Sequence, residues 1–134
     1  MIQKQENALP SFSCAVRPRA SLPSFSAEST VIAECACYLD GVPEAAAIGL
    51  NCTAPQYVEE LIRTIRQETA KPVVVYPNSG ESYDASDKTW HGAAEDFGAL
   101  ARRWHSAGAR LIGGCCRTSP REIAEISTWA KNSE

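Results

Sequence analysis

Three cysteines stand where apolar runs give out: Cys115 and Cys116 directly after "LIGG" (111–114), and Cys52 directly after "AIGLN" (47–51). A soft set of three sulfurs favours zinc, and three protein ligands leave the fourth tetrahedral position open to water or substrate. A substrate that is itself a thiol would be deprotonated there near neutral pH and held as a nucleophile. The spacing alone leaves a plainer reading equally open, that of buried cysteines in a core, because cysteine is among the most buried residue types. A disulfide between the neighbours is disfavoured: consecutive Cα atoms are about 3.8 Å apart, whereas bridged ones are usually about 4.4–6.8 Å apart. The chain contains no Cys-x-x-Cys redox motif.

For Cys52 to meet a doublet more than sixty residues away, the elements before them must end on a common rim. "AAAIGL" (45–50) and "ARLIGG" (109–114) read as strands, as does "PVVVYP" (72–77), a β-branched run closed by proline at both ends. Between them lie helical patterns. Val58, Leu61, Ile62 and Ile65 share one helical face, with Thr53 and Gln56 at capping-box spacing, Pro55 in the first turn and Glu59 placed to pair with Arg63. Phe97, Leu100, Ala101 and Trp104 form a second such face, ended by Gly108. Ser119, Pro120 and Glu122 open a third helix that turns Ile123, Ile126 and Ala130 inward. "NSGESYDASDKTW" (78–90) reads as a long polar loop.

The result is βαβαβα, a parallel α/β layer whose strands end on one face, where sites are built. Cysteines past two of those ends can converge, with Gly113 and Gly114 relaxing the backbone so that both sulfurs of the doublet turn inward. Three units do not close a sheet: the layer is either a small open one or part of a (β/α)8 barrel, usually about 250 residues long.

Composition narrows the partners. With 134 residues, 44% hydrophobic, the chain can bury one modest core, and its formal charge of −3 comes without a basic run to follow a phosphate backbone. No nucleic acid is expected. No membrane is expected either, since no apolar stretch approaches roughly 18 residues. The start, "MIQKQENALP", lacks a secretory layout, which points to the cytoplasm, where thiols stay reduced.

Four motifs, "GLNCTAP" (49–55), "VVVYPNSGE" (73–81), "KTWH" (88–91) and "GARLIGGCCRTSP" (108–120), together resemble the C-terminal part of the homocysteine S-methyltransferase family. The resemblance covers about residues 41–130 and implies a zinc-dependent (β/α)8 barrel that moves a methyl group from S-methylmethionine or S-adenosylmethionine to homocysteine, forming methionine. It assigns Cys52, Cys115 and Cys116 as zinc ligands, with the homocysteine sulfur as the fourth. Asn78, Ser79 and Glu81, past the middle strand, are candidates for the amino-acid end of the substrate; a solvated turn around Gly80 explains them equally well. His91 and His105 are expected to be non-catalytic, and Trp90 to pack.

Residues 41–134 are thus expected to form about three βα units of an incomplete barrel. Residues 1–40 are expected to be irregular apart from a remnant strand near 11–14, with "AVRPRASLPSFSAESTVIAEC" (15–35) lacking any periodicity. Cys14, Cys35 and Cys37 receive no role. Such a piece exposes sheet edges and is expected to have little activity alone. It would be completed by an N-terminal half or by self-association, or it would persist as a non-catalytic zinc-binding or interaction remnant.

Overall fold

The computed structural model describes residues 12–13, 25–84 and 86–133. In chain order the elements are β1 (Phe12–Ser13), α1 (Phe25–Asp40), β2 (Ile48–Asn51), α2 (Pro55–Glu68), β3 (Val73–Tyr76), β4 (Ser82–Asp84), β5 (Thr89–His91), α3 (Phe97–Ala107), β6 (Ala109–Ile112) and α4 (Pro120–Lys131). A four-stranded sheet runs β1-β2-β3-β6, with every neighbouring pair parallel. The βαβαβα reading therefore holds, and β3 lies between the two strands whose following loops carry Cys52 and the Cys115–Cys116 doublet.

Alternation along the strands explains the core. Ile48 and Leu50 of β2, Val73 and Val75 of β3 and Ala109 of β6 point to the helix side and are enclosed. Against them pack Ile32 and Ala36 of α1, Val58, Leu61, Ile62 and Ile65 of α2, and Phe97, Ala101 and Trp104 of α3. Each large side chain buried in this way contributes about 1.5–3 kcal/mol. Phe97 and Trp104 meet edge-on, ring centroids 5.7 Å apart, an arrangement the ring quadrupoles favour. The opposite face is thinner: Val74 and Tyr76 are half-buried, and Leu111 is 52% exposed.

Helix ends follow local chemistry. Gly108 closes α3 at φ 123°, in the left-handed region that favours glycine, and its N–H reaches the carbonyls of Trp104 and His105. The Ser119/Glu122 capping box opens α4, with Pro120 in its first turn. Glu59 pairs with Arg63 at 2.6 Å, and also with Arg103 of α3 at 2.6 Å, tying α2 to α3.

Four expectations are corrected, and a fifth is met within the described residues. The stretch expected to lack periodicity is helical over Phe25–Asp40, docked through Ile32 and Ala36, and Lys71 Nζ holds the Leu39 and Val42 carbonyls at its C-terminal end. The remnant strand is present as Phe12–Ser13, paired with β2; positions 11 and 14, including Cys14, lie outside the described residues. The polar loop contains an antiparallel hairpin, β4 with β5, in which Asp84 faces Thr89. No Thr53/Gln56 capping box forms: Ala54 is the N-cap of α2 and Thr53 turns its hydroxyl to the Asn51 carbonyl, 3.3 Å away. On α4 only Ile126 of the expected trio is buried; Ile123 is 46% exposed and Ala130 is exposed, while Glu122 is enclosed by its cap.

Candidate metal centre

β2 and β6 flank β3, so their ends are about two strand spacings, roughly 10 Å, apart. The gap is closed by the loops that follow. Cys52 adopts φ 53°, and that left-handed turn, costing a non-glycine residue roughly 1–2 kcal/mol, swings the chain over the end of β3. Arg117 does the same at φ 65° on the far side of the doublet.

Backbone hydrogen bonds continue past the strands and lace three loops together. Cys52 N–H donates to the Tyr76 carbonyl (3.0 Å), Asn78 N–H to Thr53 (3.1 Å), Cys115 N–H to Pro77 (2.8 Å) and Ser79 N–H to Cys116 (3.1 Å). The segment 76–79 is thus a splint between the Cys52 turn and the Cys115–Cys116 turn. The Asn78 carboxamide strengthens it, donating to the Cys52 carbonyl (3.3 Å) and accepting from Gly80 N–H (3.0 Å).

The two glycines before the doublet act differently from expectation. Neither is among the residues at positive φ. Gly114 is needed for close approach instead: a Cβ there would fall 2.7 Å from Thr118 Cβ. The Thr118 side chain occupies that space because its hydroxyl donates to the Cys115 carbonyl, at 2.7 Å.

The sulfurs of Cys52, Cys115 and Cys116 all lie within 4.8 Å of one another. A tetrahedral zinc with Zn–S of about 2.3 Å holds its sulfurs about 3.8 Å apart, so a small contraction suffices to bind. The Cys116 thiol is pushed up to about 11, first by its hydrogen bond with Cys52, then by burial and by the neighbouring sulfurs. A divalent cation reverses that logic by deprotonating its thiol ligands. The donor set and its spacing therefore fit a thiophilic metal.

Around the thiols, Ser79 is fully enclosed and its hydroxyl donates to Glu81, 2.8 Å away. Glu81 also receives Arg117 through Nε (3.1 Å) and Nη2 (3.2 Å). Arg117 and then Ser79 hold the Glu81 carboxyl below its usual range, and Glu81 raises Arg117 in return. Ser79 and Glu81, read from sequence as substrate contacts, thus have their side chains occupied within the protein.

Asn51 and Arg117 went unnoticed in the sequence. Asn51 Oδ1 is enclosed with no hydrogen-bond partner among the described residues, and strand alternation turns it away from the Ile48/Leu50 face. Its signal was a polar residue closing an apolar strand; Arg117 had only its place after the doublet. His91 and His105 are both exposed, His105 packing edge-on against Trp129, and Trp90 is half-buried. Cys35 and Cys37 on α1 take no part in the three-sulfur cluster.

Fold and site together define a parallel α/β protein with a thiol-lined, metal-competent centre at the C-terminal rim of its sheet. The family model for homocysteine S-methyltransferase matches residues 2–130, and the chain belongs to that family. It is 53% identical over 107 residues to homocysteine S-methyltransferase YbgG of Bacillus subtilis, covering 78% of this chain and 34% of that protein. It is 49% identical over 100 residues to homocysteine S-methyltransferase 3 of Arabidopsis thaliana, covering 72% of this chain and 29% of the relative. Among solved structures, the metallated form of the homocysteine methyltransferase MmuM from Escherichia coli superposes with a TM-score of 0.58 at 33% identity, covering 75% of this chain and 29% of that one. The chain thus spans about a third of the length of the relatives it matches.

Proposed function

We propose that this chain carries the metal-binding part of a homocysteine S-methyltransferase, with Cys52, Cys115 and Cys116 as zinc ligands on the C-terminal portion of a (β/α)8 barrel. The observation that carries the reading is the convergence of three sulfurs from two strand ends to within 4.8 Å. The parallel order β1-β2-β3-β6, with no strand paired beyond β6 among the described residues, suits a barrel wall continued by further strands.

Bound there, zinc supplies the Lewis acidity that keeps a homocysteine thiol ionised near neutral pH. The chain's own residues supply position. Cys52, Cys115 and Cys116 would hold the metal with three protein ligands, a number that would leave room for a substrate sulfur. The Asn51 side-chain oxygen, Oδ1, enclosed without a donor among the described residues, is suited to the substrate ammonium. The second amide proton of Asn78, not used toward Cys52, is suited to its carboxylate. Ser79 and Glu81 serve the substrate indirectly, by fixing the loop that carries Asn78. Methyl transfer from the sulfonium of S-methylmethionine or S-adenosylmethionine is then an in-line displacement that depends on holding donor and acceptor in near-attack geometry. Reduced thiols suit a cytoplasmic setting, and among the described residues no helix is long and apolar enough to cross a membrane.

Zinc titration of the purified chain tests the reading. One equivalent should bind, be lost in alanine variants of Cys52, Cys115 and Cys116, and be retained when Cys35 and Cys37 are replaced. Retention of zinc by all three site variants would refute it. The exposed Leu111 and Ile123 favour a dependence on further barrel elements, so the 134-residue chain should turn over homocysteine and S-methylmethionine barely above background. A second reading, a zinc-binding module without catalysis, predicts that no added N-terminal half raises that rate.

A further inference from the structure

The contacts between the loop after β3 and the loop after β6 do more than satisfy polar groups. Arg117 follows Cys116 directly, and its guanidinium grips Glu81 with two nitrogens, at 3.1 and 3.2 Å. Glu81 is in turn held by the Ser79 hydroxyl, and Ser79 N–H takes the Cys116 carbonyl at 3.1 Å. A closed circuit results: Cys116, Arg117, Glu81, Ser79 and back to Cys116. On its other side, the same segment binds the Cys52 turn through Asn78.

We infer that the Arg117–Glu81 pair is a strut that sets the distance of the Cys115–Cys116 doublet from Cys52, making both charged residues positioning residues of the metal centre. This rests on the zinc reading above and deepens it. Three features make the pair a strut and not an incidental surface bridge. Glu81 is largely shielded, its side chain 13% exposed. The two-nitrogen grip fixes orientation as well as distance, which a lysine ammonium cannot do. The pair also spans 36 residues of sequence, joining two loops, unlike Arg63 and Glu59, which lie one turn apart on α2.

Four variants test it: Arg117→Gly, Arg117→Lys, Glu81→Gln and, as control, Arg63→Ala. Glycine suits the φ of 65° at position 117, so Arg117→Gly removes the strut while easing the backbone. Zinc affinity, measured by competition with a chromophoric chelator, should fall roughly 10-fold in Arg117→Gly and Glu81→Gln, as for other residues that orient metal ligands. Arg117→Lys should lie between these and the parent, and Arg63→Ala should match the parent. Cobalt(II) bound to the first two should show weakened sulfur-to-metal charge-transfer bands.

The metal-free proteins give an independent reading. Dibromobimane, which fluoresces when both arms are alkylated, should bridge Cys52 to the doublet several-fold more slowly in Arg117→Gly and Glu81→Gln, with the bridged peptides mapped by mass spectrometry. If the parent bound no zinc, the zinc reading would fall and the bridging rates alone would decide the strut. Parent-like zinc affinity and parent-like bridging in both variants would overturn it. Glu81→Gln guards against a folding artefact at position 117, because it changes no backbone preference.

Discussion

Among the described residues, two clusters of metal-ligand side chains lie within the same 4.8 Å limit: Cys52, Cys115 and Cys116 on the sheet rim, and Asp84, Asp87 and His91 on the β4–β5 hairpin. They are alike in proximity and opposite in origin. The hairpin cluster is drawn from eight consecutive positions, is exposed throughout, and comes together because a tight turn leaves it little choice. The rim cluster is assembled across more than sixty residues, by two left-handed non-glycine residues and by hydrogen bonds that continue the sheet beyond its strands. The hairpin holds a left-handed non-glycine residue too, Lys88 at φ 58°, so what sets the rim apart is the set of tertiary contacts that brings distant residues together.

The sharpest way to break this contrast is to remove one rim ligand. Cys52→Ala should lower zinc affinity by more than roughly 100-fold, exceeding what orienting residues alone contribute, while circular dichroism shows the helices intact. A variant that still bound zinc like the parent would place the metal elsewhere, with the hairpin the first alternative.

Next in size is Gly114→Ala. The added methyl group overlaps Thr118, whose hydroxyl is anchored on Cys115, and overpacking of this kind costs about 1–3 kcal/mol. Denaturant unfolding should register that loss, and trimming the neighbour in Gly114→Ala/Thr118→Gly should recover part of it. Failure of the double variant to recover would mean that the glycine serves the backbone after all.

A smaller effect tests how the rim is anchored to α4, which begins three residues after Arg117. Ser119→Ala should cost about 1 kcal/mol at neutral pH. The Glu122 carboxyl lies below its ordinary 4.5, lowered first by the Ser119 hydroxyl and then by the backbone N–H of the same residue. A depressed carboxyl contributes stability that is complete above the ordinary value and is lost as pH falls through the folded one. The difference between parent and Ser119→Ala should therefore shrink between about pH 5 and pH 3. A difference that stayed constant or grew would show that Glu122 is not ionised in the cap.

How legible each region was in the sequence follows from the same contrast. β3 could be read because proline bounds a run of β-branched residues, and α2 and α3 because their apolar residues recur once per turn and bury there. Convergence of the cysteines followed from a topological rule alone, since parallel strands must end on one face. α1 escaped notice because its docking rests on Ile32 and the small Ala36 amid alanine, cysteine and serine, which leave a faint stripe. The hairpin escaped because β5 is only three residues long, with Thr89 and His91 exposed around a half-buried Trp90, too short a run for alternation to register. Arg117 and Glu81 were illegible as a pair, because an ion pair between loops depends on turns that no periodicity encodes.

The smallest expected effect is none at all, in the hairpin. Each hairpin ligand atom already has partners. Asp84 Oδ1 accepts from Ser86 through its backbone N–H (2.8 Å) and its hydroxyl (2.6 Å), and Asp87 Oδ1 accepts from Thr89 N–H at 3.0 Å. His91 Nε2 lies 2.8 Å from Thr89 Oγ1 and 3.6 Å from Asp87. The Ser86 hydroxyl lowers the Asp84 carboxyl and the Thr89 hydroxyl lowers Asp87, so both are settled in their ionised form without a cation. Binding a metal would mean giving up those bonds at a water-exposed site, where the ion gains little over its hydrated state. Asp87→Asn/His91→Ala should therefore leave zinc stoichiometry and affinity at the parent values and stability within about 0.5 kcal/mol. A second zinc equivalent that disappears with these two residues would remove the distinction between the clusters.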